Sequence, residues 1–438
     1  MRSDPDSRGL GADPDGAGVD VAVVGAGAAG LMAAIQTARG APGTRVVALD
    51  GARTLGAKIL VAGGGRCNVT HREVRKDDFC GSRPNAIGKV LKAFGVPDTI
   101  AFFRERGVTL KEEETGKLFP TTDRARSILD ALLGAARDAG VRVLHPARVT
   151  AIEPCDGGFL LSTSAGPLQA RHVVLATGGK SLPKSGSDGG GYALARSLGH
   201  TIAEPLVPAL SPLLLPPGHP ALQLAGVAAP ARLTLRGATG AVVATATGPV
   251  LHTHFGLSGP AVLDISRHVL LAKALGQVVH LEADWRPDLA GGAFDAELLA
   301  AGRDSLARLL ERHLPTRLAA RLLAAAGVDP ATRVDHLKRD DRKALVKTVT
   351  AEPLPVTSDR GWTYAEATAG GVPLAEVDVS TMASRVTPGL WLVGEVLDVD
   401  GRLGGFNFQW AWASGTVAGR ALAKRLGENA PLLPGPPP

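Results

Sequence analysis

VAVVGAGAAGLMAAI, residues 21–35, runs four apolar residues into the turn Gly25-Ala26-Gly27-Ala28-Ala29-Gly30 and on into an Ala/Leu/Met-rich segment. The apolar run bounded by glycine reads as a buried strand, and the segment beyond Gly30 as a helix. The G-x-G-x-x-G spacing between them has a mechanical meaning. Gly25 permits the tight turn, Gly27 lets a pyrophosphate approach the backbone, and Gly30 lets helix pack closely on strand. Phosphate oxygens then meet the free N–H groups around Ala28 and Ala29, at the positive end of the helix dipole. A second strand over residues 45–49 ends in Asp50, where a carboxylate is placed to accept from a ribose 2′-hydroxyl. Strand, turn, helix, strand and terminal acid in this order predict dinucleotide binding.

Working outward, 438 residues exceed one ordinary core, so two or three domains are expected. A hydrophobic share of 45% and a charged share of 21% describe a globular chain. The net charge of +6 is dispersed, which suits an anionic cofactor or substrate. Aromatic residues are only 4% and do not interleave with basic ones, so no nucleic-acid partner is expected. Cys67, Cys80 and Cys155 show no C-x-x-C spacing, so neither a dithiol relay nor a zinc site is indicated. No apolar run is long enough to span a membrane and no signal-peptide core is evident. No membrane association and a cytoplasmic location are the expectations.

The predicted fold is α/β: a Rossmann-like domain interrupted by a β-rich insert and a small helical subdomain. The expected boundaries are a disordered leader over 1–18, the first part of the cofactor domain over 19–204, and β-rich insert over 205–285 and 340–357. A helical subdomain is expected over 286–339, the second part of the cofactor domain over 358–428, and a flexible tail over 429–438. Strands are read at 141–144, 158–164, 172–175, 231–235, 241–245 and 278–283, helical periodicity at 289–325, and a polar, helix-like stretch from the loop at 62–70 to about Ala139.

Three separated elements converge on FAD. They are the opening fingerprint, the turn Ala176-Thr177-Gly178-Gly179 at a strand end, and Leu390 to Glu395, a late strand with Gly394 before its terminal acid. The turn resembles that of glutathione-reductase-type flavoproteins, and in that superfamily a carboxylate placed like Glu395 approaches the ribityl chain. Gly404-Gly405-Phe406-Asn407 then opens a helix whose N-terminus could face the flavin and stabilise negative charge there. The loop Gly63-Gly64-Gly65-Arg66-Cys67-Asn68 allows close approach to a flat ring, with Arg66 and Asn68 as donors; Lys58, just before it, joins the expected cofactor contacts. Cys67 is read as a small packed residue rather than a redox thiol. His252 and His254 are candidate proton donors, with a structural role the alternative, and they lack a third ligand for metal.

The blocks VVGAGAAGLMAA, GGGRCNVT, ATGGKSLPKSGSDGGGY, THFGLSGPAVLDIS and GLWLVGEVLDVDGRLGGFNFQWAWASG resemble the YhiN/BaiN-like flavoprotein family, in order, from about Asp20 to Ala423. The resemblance implies a non-covalent FAD site with contacts at Gly25, Gly27, Gly30, Asp50, Gly65, Arg66, Asn68, Glu395, Gly405 and Asn407. His71 departs from the Asn frequent in relatives, which raises the question of a histidine beside the flavin and even of covalent attachment. The expected activity is reduction of an activated C=C bond in a small organic substrate. In that reading hydride passes from transient NAD(P)H through flavin N5, Arg66 polarises a substrate oxygen, and His252, His254 or Tyr192 supplies the proton. The alternatives are an oxidase of a small amine or amino ketone, an RNA-directed flavoprotein and a non-catalytic redox sensor.

Overall fold

Val21, Ala22 and Val23 are completely buried in β1 (Val19–Val24), as a strand covered on both faces must be. In the computed structural model, which describes residues 18–428, β1 is the centre of a parallel sheet. The helix α1 (Ala28–Gly40) returns the chain to β2 (Val46–Leu49), which pairs with β1 on one side. Helix α2 (Ala57–Gly65) follows, and β3 (Arg142–Leu144) extends the sheet beyond β2. On the other side of β1 lie β4 (Gly166–Leu175) and then β5 (Leu390–Leu392), giving the parallel order β5-β4-β1-β2-β3. The register pairs Val24 with Leu49 and Leu175, Leu49 with Leu144, and Leu175 with Leu392. Every strand therefore ends at one edge, and the turns that follow emerge side by side. In open α/β sheets that carboxyl edge is where ligands bind.

The last helix, α3 (Phe406–Glu428), lies against α1 at a separation set by glycine. A Cβ on Gly415 would stand 2.4 Å from the Ala29 carbonyl oxygen, and one on Gly419 would stand 2.6 Å from that of Ala33. Thr37, one turn further along the same face of α1, donates from Oγ1 to Ala33 O at 2.8 Å and reaches Gly419 O at 3.4 Å. Small residues four apart on both helices thus let the two backbones touch.

The chain divides into two units, one comprising residues up to Leu206 and from Ala367 on, the other Val207–Glu366. The second unit carries an antiparallel sheet, including Ala228–Gly237, Val242–His252 and Val279–Asp284, and short helices Ala293–Ala300, Leu306–Glu311 and Thr316–Ala325. Residues 358–366, expected in the cofactor domain, fall in this unit because Ser358–Asp359 pairs with Leu213–Leu214. Helix Arg339–Thr350 occupies most of 340–357, the second of the two stretches expected in the β-rich insert. The strand read at 241–245 continues to His252, with Pro249 opposite Pro230 in the ladder. Strand Val149–Cys155 was not anticipated, because a register shift after Val149 and Pro154 near its end interrupt the alternation. The polar stretch before Ala139 holds three helices, Pro84–Ala93, Val96–Glu105 and Ala125–Asp138, but also the strand pair Leu110–Glu112 and Lys117–Pro120. The expected tail, and the leader apart from Gly18, lie outside the described residues.

Adding one methyl to the helix contact should be costly. Gly415→Ala is expected to lower unfolding stability by about 1–3 kcal/mol through overpacking. Gly427→Ala, in the same helix with no atom within 4 Å of its added Cβ, should be neutral or slightly stabilising. Urea denaturation of both variants checks the pair.

Candidate functional site

The three fingerprint glycines are used differently. A Cβ at Gly25, where φ is +105°, would lie 2.4 Å from the Ala176 carbonyl oxygen, and one at Gly30 would lie 1.9 Å from that of Gly25. Both are demanded by the protein's own packing. At Gly27 an added Cβ meets nothing within 4 Å. Gly27 is the N-cap of α1, no side chain caps it, and the first turn holds no acid. The positive helix end therefore faces open space, as an anion site requires. Asp50 stands beside it. Its Oδ2 accepts from Ala26 N–H at 2.9 Å and its Oδ1 from Ala52 N–H at 2.8 Å. Two backbone donors fix the carboxylate and leave it lone pairs for a hydroxyl.

The turn after β4 and the end of β5 meet around Glu395. Its Oε1 accepts from Thr368 N–H at 2.8 Å and from Ser181 Oγ at 3.1 Å, while Lys58 Nζ pairs with Oε2 and donates to Ser181 Oγ at 2.6 Å. Thr368 Oγ1 in turn accepts from the N–H groups of Lys180 and Ser181 at 2.8 and 3.1 Å. Lys58 and Glu395, both expected as cofactor contacts, are thus each other's partners, and Ser181 and Thr368 are participants that motif reading missed. Tyr192 is buried near Thr368 and Glu395; burial first, then the Glu395 charge, drives its pKa upward and keeps the phenol protonated. Ser187 Oγ is buried without a hydrogen-bond partner, as is Asn68 Oδ1.

The glycine-rich loop is the end of α2, where Gly63, Gly64 and Gly65 take φ of 56°, 68° and 86°. It docks on the start of α3. A Cβ at Gly405 would meet the Thr70 carbonyl carbon at 2.6 Å and Asn68 Oδ1 at 2.8 Å. Trp412 Nε1 donates to Val69 O at 2.9 Å, and Thr70 Oγ1 donates to Gln409 Oε1 at 2.7 Å. Trp410 Nε1 donates to Gly394 O at 3.1 Å and Gly394 N–H to Ser414 Oγ at 3.0 Å, so the same helix also holds the turn before Glu395. Gln409, Trp410, Trp412 and Ser414 form this clamp; their polar atoms inside an aromatic run were the available signal. Asn407 turns to its own chain, accepting from Gly401 N–H at 2.8 Å and donating to Gly401 O at 3.0 Å. The first-turn N–H groups of Phe406, Asn407 and Phe408 have no carbonyl of their own helix to bond. Thr177, Gly178, Gly394 and Gly404 lie on the turns of this same unit.

Arg66 lies over the Phe119 ring at 4.1 Å and pairs with Glu113 at 2.6 Å and Asp123 at 3.6 Å. Cys67 is completely buried, and burial pushes its thiol pKa far up, so it is a packed residue without thiolate character. Both ring nitrogens of His71 contact the backbone. Its ring stacks on Phe406 at 5.0 Å, Nε2 contacts Thr115 O at 3.0 Å, and Nδ1 contacts the Glu73 backbone.

The two candidate histidines belong to the other unit. His252 is a core residue, stacked on Trp285 at 5.4 Å with Nδ1 3.2 Å from Val227 O. Desolvation lowers its pKa against the opposing effect of the Val227 bond. His254 is exposed, edge-on to Phe255. Among the described residues no three His, Cys, Asp or Glu side chains converge as metal ligands.

The family model described as HI0933-like protein Rossmann domain matches residues 19–421. The chain is 36% identical over 410 residues to the 3-dehydro-bile acid delta(4,6)-reductase of Clostridium scindens, covering 92% of this chain and 99% of that protein. It is 34% identical over 408 residues to the ribosomal RNA dihydrouridine synthase of Escherichia coli, covering 92% and 98%. Among solved structures, 3-ketosteroid delta1-dehydrogenase from Sterolibacterium denitrificans matches with a TM-score of 0.51 at 12% identity, covering 93% of this chain and 99% of that one. A quinol-fumarate reductase with menaquinol matches with a TM-score of 0.50 at 18% identity, covering 93% and 71%. These two likenesses show a shared fold. No helix among the described residues is long and apolar enough to cross a membrane.

Lys58→Met should leave the half-buried Glu395 with only the Ser181 and Thr368 donors. A stability loss of about 1–3 kcal/mol is expected, and Lys58→Met/Glu395→Gln should recover part of it. A double-mutant cycle by thermal unfolding measures the coupling.

Proposed function

The chain belongs to the HI0933-like family and is an FAD-dependent oxidoreductase; from that premise we propose that it reduces an activated C=C bond of a small organic substrate, with NAD(P)H as a transient electron donor. The observation that carries this reading is the 36% identity, over nearly the full length of both chains, to a protein named as a delta(4,6)-reductase. The second name points to the same chemistry. Dihydrouridine is uridine with its C5=C6 bond saturated, and that bond is conjugated to a carbonyl, like the double bonds of a dienone.

The residues present suit FAD. The open N-terminus of α1 at Gly27 would hold the pyrophosphate and Asp50 a ribose hydroxyl. Glu395, pre-set by Lys58, Ser181 and Thr368, would stand by the ribityl chain. When bound, FAD supplies a centre that accepts and donates hydride at N5. The first-turn N–H groups of α3 would stabilise negative charge beside it, since they act as fixed dipoles needing no reorganisation. Arg66, held in place by Glu113 and Phe119, polarises a substrate carbonyl with its remaining donors. Tyr192 holds a proton throughout the neutral range.

A second reading keeps the chemistry and changes the substrate to a uracil base in ribosomal RNA. It rests on the relatives named as dihydrouridine synthases, from Escherichia coli and from Haemophilus influenzae at 30% identity.

An anaerobic absorbance titration is the primary test. The purified protein should show oxidised-flavin bands that bleach on adding NADH or NADPH and recover on adding an enone. Flavin that resists both nucleotides but is bleached by an amine, with hydrogen peroxide released in air, would replace the proposal with an oxidase. Enone turnover set against uridine turnover in unmodified ribosomal RNA separates the two substrates. Gly27→Val should abolish FAD retention with native circular dichroism, whereas Arg66→Ala should keep FAD and lose about 100-fold in turnover.

A further inference from the structure

Within the unit Val207–Glu366, the guanidinium of Arg360 lies over the Phe255 ring at 4.3 Å and over the Tyr364 ring at 3.5 Å. Both rings therefore pack against the one guanidinium. Among the described residues no carboxylate pairs with it. The adjacent acid is turned away: Asp359 Oδ2 accepts from Ser211 Oγ at 3.0 Å and from Gly361 N–H at 2.7 Å. Arg360 is partly buried, Tyr364 is 48% exposed, and His254 is exposed alongside Phe255.

The backbone around this cation is tightly built. Strand Leu213–Leu214 lies between Gly256–Ser258 and Ser358–Asp359 and pairs antiparallel with both. Leu215 N–H donates to Phe255 O at 3.2 Å, and Arg360 N–H donates to Pro212 O at 3.2 Å. Thr253 closes the turn before Gly256 through its hydroxyl, and Tyr364 N–H donates to Gly361 O at 3.0 Å. Phe255 and Arg360 are therefore anchored through one shared strand, and Tyr364 through the turn that follows Arg360.

We propose that Arg360, packed against Phe255 and Tyr364, is a binding site for the carboxylate of a small organic molecule. Both aromatic rings lie against the guanidinium without accepting its N–H donors as a carboxylate would, so the donors stay available to a ligand. These donors form a planar fork, which matches the two oxygens of a carboxylate in bidentate geometry. Contact with both rings restrains the side chain before a ligand arrives, so less rotamer freedom is lost on binding. One uncompensated positive charge matches one carboxylate, and the exposed Tyr364 ring offers apolar surface to the carbon skeleton next to it.

The test uses the full-length, FAD-loaded protein and isothermal titration with cinnamate and with cinnamamide, its uncharged isostere. Cinnamate should bind at least about tenfold more tightly than the amide, reflecting charge-assisted hydrogen bonds. Arg360→Gln should erase that preference with FAD content and melting temperature unchanged. Tyr364→Leu should weaken cinnamate only in part, and it serves as the test if Arg360→Gln does not fold. Equal binding of acid and amide, no saturable cinnamate binding, or an acid preference that survives Arg360→Gln would overturn the assignment. The readout is binding, so it stands or falls apart from turnover and apart from the proposed reaction.

Discussion

Backbone contact between α1 and α3 is the constraint on which the cofactor unit depends. Gly415 and Gly419 bring α3 onto the carbonyls of Ala29 and Ala33 with no room for a methyl between. The two helices come from opposite ends of the chain. Once α3 is fixed there, its Trp410 and Ser414 hold the turn at Gly394, and its Trp412 and Gln409 hold the loop from Asn68 to Thr70. Glycine at two positions thus decides where three distant segments stand.

The same economy governs charge. At the sheet's carboxyl edge the open end of α1 is positive and, among the described residues, has no side-chain cap, while Asp50 and Glu395 are each oriented by backbone and hydroxyl donors. Carboxylates held this way keep their direction without needing the cofactor to order them. Lys58 makes Glu395 tolerable in a half-buried place, since a buried charge needs an opposite one nearby. The insert treats its own charges differently. Arg321 is neutralised by Glu352 and Arg286 by Asp288 and Glu297, all in pairs, whereas Arg360 is stabilised by aromatic rings.

The cofactor unit was legible where local pattern and fold coincide. The fingerprint, β4 with its turn, and the late strand ending in Glu395 all stand at the carboxyl edge of one parallel sheet. The insert was legible only coarsely, because antiparallel strands with Pro249 and Pro230 in register carry weak periodicity. Residue roles were the least legible. The pairing of Lys58 with Glu395, the turn that Asn407 closes on Gly401 and the place of His252 in a core were not readable from the motifs. Nothing in a linear motif states which way a side chain turns.

By itself the sequence determined the βαβ unit, the order of its motifs and the family, because strand burial, glycine spacing and a terminal acid are set by short-range geometry. Tertiary structure alone decided that Gly415 and Gly419 are contact points, that Glu395 is held by Lys58, Ser181 and Thr368, and that Arg360 lies against two rings. Each of those depends on residues far apart in the chain brought within a few ångströms, and such proximity is created only when the sheet and its helices have packed.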